Sequence, residues 1–147
     1  LEKGYRSWKG DLTSDYNMFD AGLRRWVHFS KPDFTGRAAL AAVKDAPART
    51  LVTLALEDPS DSDTGFGEAI YLSSVLNDAS GADIAGLVLS AGYGHRTKKS
   101  LALAVLEAGE DASIGRSLAV EVVGRNRHAE IIGHGAVYDA DNALLKG

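Results

Sequence analysis

Within the first eight residues, LEKGYRSW, lie a carboxylate at Glu2, aromatic faces at Tyr5 and Trp8, and a cation at Arg6. A carboxylate accepts two hydrogen bonds from the amidine-like edge of a planar heterocycle. An aromatic face stacks on the same ring. Such a set suits a pterin or guanine-like ring. A plainer arrangement uses the same residues: Tyr5 and Trp8 as core anchors and Glu2 as a solvated side chain. Composition alone favours the plainer one.

A second group is the stretch SAGYGHRTKKS, Ser90 to Ser100, which places Arg96, Lys98 and Lys99 on a glycine-bounded turn beside Tyr93. These cations have the reach to touch the anionic tail of a ligand or another protein surface, although a solvated charged turn is the commoner outcome. GFGEAI and GYGHRTKKS lack the GxxxxGK[ST] spacing of a phosphate loop, and no βαβ unit surrounds them, so their glycines read as β-turn residues. The four histidines, His28, His95, His128 and His134, show no helical pairing around a Glu, and there is no Cys, so no metal site is expected. No Ser-His-Asp order, paired carboxylates or nucleophile elbow stands out, and no catalytic residue is assigned.

The elements that position these groups divide near Ala46-Pro47-Ala48. Both Trp precede that point, and most of the Val, Leu, Ile and Gly follow it. Such a shift with Pro at the junction reads as a boundary between residues 1–46 and 47–147. Residues 1–22 have no clean period and are punctuated by turn formers, so much of them is expected to be loop. GLRRWVHF, Gly22 to Phe29, is expected as a strand. A helix through Ala38 to Val43, capped by Thr35, should stop before Pro47. From Arg49 on, the pattern is β. Strands are expected over 49–58, 69–76, 84–94, 100–109, 117–124 and 128–139, with a loop over 59–68 and a hairpin turn at Ser80-Gly81. SLALAVLEAG is helix by its Leu and Ala content, but its alternation and early Gly109 favour a strand. Strands at this spacing, with little room for helices, predict a mainly β fold: a small antiparallel, Greek-key-like barrel.

The chain has 147 residues, 45% of them hydrophobic and 24% charged, with a net charge of -4. That suffices for one domain with a core, or one domain and part of another. An acidic chain with no long basic run is a poor binder of nucleic acid. No apolar run approaches the roughly 18–20 residues of a membrane span. The absence of Cys is compatible with a reducing compartment, and a cytoplasmic location is expected.

LEKGYRSWKGDLTSDY, AGLRRWV and KPDFTGRAAL resemble the late part of the folate-binding domain of the glycine cleavage T-protein (aminomethyltransferase) family. The wording is closest to the branch fused behind flavin amine oxidases, the dimethylglycine and sarcosine dehydrogenases. GYGHRTKKSLALAVL, IGRSLAVEVVGR and the late VYD resemble that family's C-terminal barrel. The resemblance implies that residues 1–46 are the truncated end of an α+β folate-binding domain, and 47–147 its barrel. It implies tetrahydrofolate as the acceptor of a one-carbon unit from an aminomethyl or iminium amine donor, with FAD on a missing upstream domain in the dehydrogenase branch. In its LE-x-G motif the Glu meets the pterin edge, here Glu2, with Tyr5 and Trp8 beside it. Lys31 and Arg37 of KPDFTGR lie near the folate channel in relatives, and Tyr93, Arg96, Lys98 and Lys99 fall where the barrel closes the channel. The family's catalytic Asp lies upstream of any segment matched here, so the chain alone is expected to be inactive. One departure is YNMFDAGL, where relatives carry TPLEAGL: Asp20 replaces the acid and the Pro is absent. Two alternatives remain, a non-catalytic barrel serving as a structural or interaction module, and a tetrahydrofolate-dependent demethylase relative. Truncation would leave Trp8, Trp26 and Phe29 without packing partners and favour self-association.

Overall fold

In a strand, successive side chains point to opposite faces, so a sequence that alternates can close a barrel around one of them. The computed structural model describes residues 1–56, 75–78, 80, 82–122 and 125–146. Within them are six strands: β1 (Arg49–Leu56), β2 (Val75–Asp78), β3 (Ile84–Gly94), β4 (Lys99–Glu107), β5 (Ser117–Val122) and β6 (Arg125–Gly133). They close in the order β1-β4-β3-β2-β5-β6, with every neighbouring pair antiparallel and β6 returning to β1. Strands β2, β3 and β4 follow one another as neighbours, and β5 returns beside β2, which is a Greek key. The expected mainly β, antiparallel barrel is therefore found.

The barrel interior takes every second residue of three strands, Val52, Leu54 and Leu56 of β1, Ala102, Ala104 and Leu106 of β4, and Leu118, Val120 and Val122 of β5, and is completed by residues of the other three. Burying a Leu or Val side chain contributes about 1.5–3 kcal/mol, so this layer dominates the stability. Strands β1 and β4 are buried on both faces, over 51–56 and 101–106. Part of their outer face forms a second cluster, Leu51, Leu89 and Val105, packed under Tyr16 and Leu87. Leu89 reaches it through a bulge in β3: Val88 pairs with Ala104 and Ser90 with Leu103, leaving Leu89 as the extra residue. This double burial explains why SLALAVLEAG carries helix-like composition and is nonetheless a strand.

The hairpin turn between β2 and β3 is organised by Asp78, whose Oδ1 accepts from the Ser80 amide, the Ser80 hydroxyl and the Ala82 amide. Of the turn's two expected central residues, Ser80 is described and Gly81 lies outside the described residues. The loop expected over 59–68, the last two residues of the strand expected over 49–58 and the greater part of the strand expected over 69–76 also lie outside them. Strand β6 begins at Arg125 and ends at Gly133, earlier than the expected 128–139. Beyond it the chain turns at Gly135 (φ 128), and the tail pairs with the N-terminal arm instead of a strand.

The strand expected over Gly22 to Phe29 is absent. Its middle is a 3₁₀ turn, Arg24–Trp26, closed by Trp26 N–H to Leu23 carbonyl (2.9 Å) and Val27 N–H to Arg24 carbonyl (3.0 Å). Gly22 at φ 66 turns the chain beforehand. The apolar residues that looked like strand material serve local packing: Phe29 stacks on Phe19 and meets Phe34 at a tilt, with ring centroids at 6.5 and 6.2 Å. The helix is found as α1 (Arg37–Val43), but Gly36, not Thr35, is its N-cap residue, and no side chain caps it. A four-residue α2 (Ala143–Lys146) closes the described chain. Among the described residues no helix is long and apolar enough to cross a membrane.

Candidate functional site

Residues 1–4 form an arm laid between the β3–β4 turn and the tail that follows β6. The Glu2 carbonyl accepts from the Val137 and Tyr138 amides at 2.9 and 3.1 Å. Lys3 donates to the Asp139 carboxylate at 2.7 Å. Gly4 rests against the tail at φ 66, and a Cβ there would lie 2.5 Å from the Ala136 nitrogen. The glycine of LE-x-G is thus required by both its backbone angle and this close approach.

The Glu2 side chain points the other way, into the turn. Its Oε1 accepts from the Arg96 amide at 3.0 Å and the Thr97 amide at 2.6 Å. The turn is closed by Lys98 N–H to Gly94 carbonyl at 2.7 Å, with Lys98 at φ 55. Gly94 makes room for the carboxylate, since a Cβ there would stand 2.9 Å from Oε1. Burial opposes the charge on Glu2, but the Thr97 and Arg96 hydrogen bonds prevail and hold its pKa below the ordinary 4.5. The second oxygen, Oε2, accepts no backbone amide among the described residues. Lys98 and Lys99 are exposed with Arg96 on the same turn, and Tyr93 packs edge-on against His95 at 5.2 Å.

The structure thus brings together Glu2 and the basic turn, whose contacting residues lie 94 and 95 positions apart and which the sequence presented separately. It does not gather the rest around them. Tyr5 and Trp8 are 65% and 79% exposed, which overturns the reading of both as core anchors. Trp8 borders an apolar groove of about 610 Å³ with Leu12, Tyr16, Met18 and Leu23. Lys31 lines a separate depression of about 230 Å³ with Trp26, His28 and Phe34. Arg37 lies over the Phe29 ring at 5.9 Å and donates to the Phe29 carbonyl at 3.2 Å. Arg6 donates to the carbonyls of Gly4, Ala21 and Gly22, so its guanidinium ties loops together. Of the three aromatics expected to be uncovered, Trp8 and Trp26 (60%) are, whereas Phe29 is half-buried in its stack.

Two tethers were missed by sequence reasoning. One is Lys3 with Asp139, for which VYD held a signal. The other is Asp20, buried, whose Oδ1 accepts from the Arg49 amide at 3.0 Å and Oδ2 from the Asn17 amide at 3.1 Å. Asp20 fastens the YNMFDAGL loop to the first residue of β1, a structural task independent of the missing Pro.

The pattern of the glycine cleavage T-protein C-terminal barrel domain matches residues 49–139. The chain is 33% identical over 134 residues to mitochondrial dimethylglycine dehydrogenase of Rattus norvegicus, covering 90% of this chain and 14% of that protein. It is 31% identical over 134 residues to the aminomethyltransferase of Synechococcus sp. (strain CC9902), covering 90% of this chain and 34% of the relative. The chain therefore spans about a third or less of the curated relatives it matches. In three dimensions it resembles the glycine cleavage system aminomethyltransferase T from Bartonella henselae, with a TM-score of 0.74 at 24% identity over 90% of this chain and 35% of the other, a likeness of fold. With the barrel and its sequence pattern coinciding over β1 to β6, the chain belongs to the glycine cleavage T-protein C-terminal barrel domain family.

Proposed function

We propose that this chain supplies the C-terminal wall of a tetrahydrofolate site in a one-carbon transferase, which passes a one-carbon unit from an aminomethyl or iminium donor to tetrahydrofolate. The observation that carries this reading is the fixed Glu2 carboxylate: one oxygen is held by the Arg96 and Thr97 amides, and the other is left for the amidine-like edge of a pterin. The relatives named aminomethyltransferase and dimethylglycine dehydrogenase support it. No side chain here is assigned the proton transfer or the bond-breaking step. The chain's part is to bind and orient, and any FAD would sit on an upstream domain of the dehydrogenase type. The cytoplasm is the proposed compartment from the lack of Cys. The mitochondrial relatives supply the rival, which cell fractionation decides.

The test is titration of the intact parent protein with tetrahydrofolate, comparing wild type with Glu2→Gln. Gln keeps an oxygen for the turn amides but turns an NH₂ donor toward a donor edge. Loss of a charged hydrogen bond of about 1.5–3 kcal/mol predicts at least roughly tenfold weaker binding. Unchanged affinity, or no binding by wild type, overturns the reading. A second reading, an interaction module that includes self-association, is favoured by the exposure of Trp8 and Trp26. Sedimentation that stays monomeric at high concentration counts against its self-association form.

A further inference from the structure

Where the N-terminal segment meets the barrel lies an open cleft of about 600 Å³, away from Glu2 and the basic turn. Phe19 and Pro47 contribute apolar surface, Arg24 and Arg49 bring positive charge, and Asp111 with Ser113 brings negative charge. Three separate elements supply these charges: the 3₁₀ turn, the start of β1 and the β4–β5 loop. Each ion is anchored by one part, and Arg49 and Asp111 leave another part unengaged. Arg49 uses Nε on Glu107 (3.1 Å) and lies over the Tyr16 ring at 5.3 Å. Arg24 uses Nη1 on the Lys44 carbonyl (2.8 Å) and lies over Phe19 at 5.4 Å. Its Nη2 is only loosely paired, 4.0 Å from Asp45. Asp111 uses Oδ1 on the amide and hydroxyl of Ser113, and Arg116 pins the same loop by donating to the Asp111 carbonyl. Among the described residues neither Nη of Arg49 nor Oδ2 of Asp111 has a hydrogen-bond partner.

We propose that this cleft binds a small zwitterion of the amino-acid class, its carboxylate on the Arg24 and Arg49 guanidinium edges and its ammonium on Asp111 Oδ2. A simple anion gains the arginines but meets Asp111, and a simple cation gains Asp111 but meets two arginines. Only a ligand carrying both charges satisfies both walls. The guanidinium edge matches a carboxylate in geometry as well as charge. The Ser113 bonds hold Asp111 below its ordinary pKa, so it stays ionised at neutral pH. The volume exceeds that of glycine and leaves space beside Phe19 for a side chain or N-alkyl groups. Because the cleft is open to water, affinity falls in the millimolar range. None of these residues belongs to the proposed folate wall, so the two readings stand or fall separately.

The experiment is amide-resolved NMR titration of the chain with glycine, acetate and methylammonium. Glycine is expected to shift the Thr50, Ser113 and His134 amides saturably, and to bind roughly fivefold or more tightly than either single-charge probe. Asp111→Asn, whose amide oxygen still accepts from Ser113, should bring glycine to the affinity of acetate. Arg24→Gln, on an exposed turn, should weaken glycine and acetate together and spare methylammonium. Acetate binding as tightly as glycine, no saturation by about 100 mM glycine, or unchanged glycine affinity in Asp111→Asn overturns the proposal. The wild-type ligand series decides it even if a variant misfolds.

Discussion

Replacing Glu2 by Ala removes the acceptor of the Arg96 and Thr97 amides but keeps the Glu2 carbonyl that receives Val137 and Tyr138. The substitution therefore separates the two sides of the arm. A hydrogen bond to a charged group contributes about 1.5–3 kcal/mol in a dry site. Glu2 is part-exposed, and water replaces much of that, leaving about 1–2 kcal/mol for the two bonds together. At about 1.4 kcal/mol per factor of ten, hydrogen exchange at Arg96 and Thr97 should accelerate roughly 5- to 30-fold. Exchange at Val137 and Tyr138 should hold. Glu2→Gln keeps a neutral acceptor and should show roughly a threefold effect. The pH dependence follows from the depressed pKa of Glu2. Its contribution is fully present above the ordinary 4.5 and is lost as pH falls through the lower folded value. Acidified wild type should therefore approach the Gln variant, after correction for intrinsic exchange. Equal acceleration at all four amides would mean that the arm detaches as one unit. No acceleration at Arg96 and Thr97 would remove the clasp altogether.

Gly94→Ala should reproduce the Glu2→Ala exchange pattern and lower stability by about 1–3 kcal/mol, because the new Cβ would stand 2.3 Å from the Thr97 hydroxyl; denaturant titration measures the loss. Leu54→Ala should cost about 2–5 kcal/mol, while Ile114→Ala, at an exposed side chain, should change stability by less than about 0.5 kcal/mol; equal midpoints would contradict the assigned interior. Asp139 is held below its ordinary 3.8 chiefly by Lys3. The tail after Gly135 should therefore gain protease sensitivity in Lys3→Met at neutral pH, and in wild type only as pH falls below 3.8. Residues 1–147 alone should give no methylene transfer to tetrahydrofolate; measurable turnover would place catalytic groups in this chain.

The barrel was legible because its signal is local. Alternation in SLAVEV marks a strand whose two faces meet different surroundings. The 3₁₀ turn at Arg24–Trp26 was not, because Trp and Val raise strand propensity whether or not a partner strand exists. The site was half legible. Glu2 and the Arg96 to Lys99 turn each stood out by residue type, but their contact joins positions 94 and 95 apart and depends on barrel closure. Trp8 misled in the opposite sense: a large aromatic is presumed buried, and here it borders an open groove.

The outer cluster of Leu51, Leu89 and Val105 beneath Tyr16 also bears on modularity. The family pattern begins at residue 49, yet Tyr16, which covers this cluster, and Asp20, which fastens the first residue of β1, both precede it. Inheritance and self-sufficiency therefore have different borders. A graft of residues 49–139 into another protein would arrive with a greasy window on its wall, and the recipient would have to provide the pane.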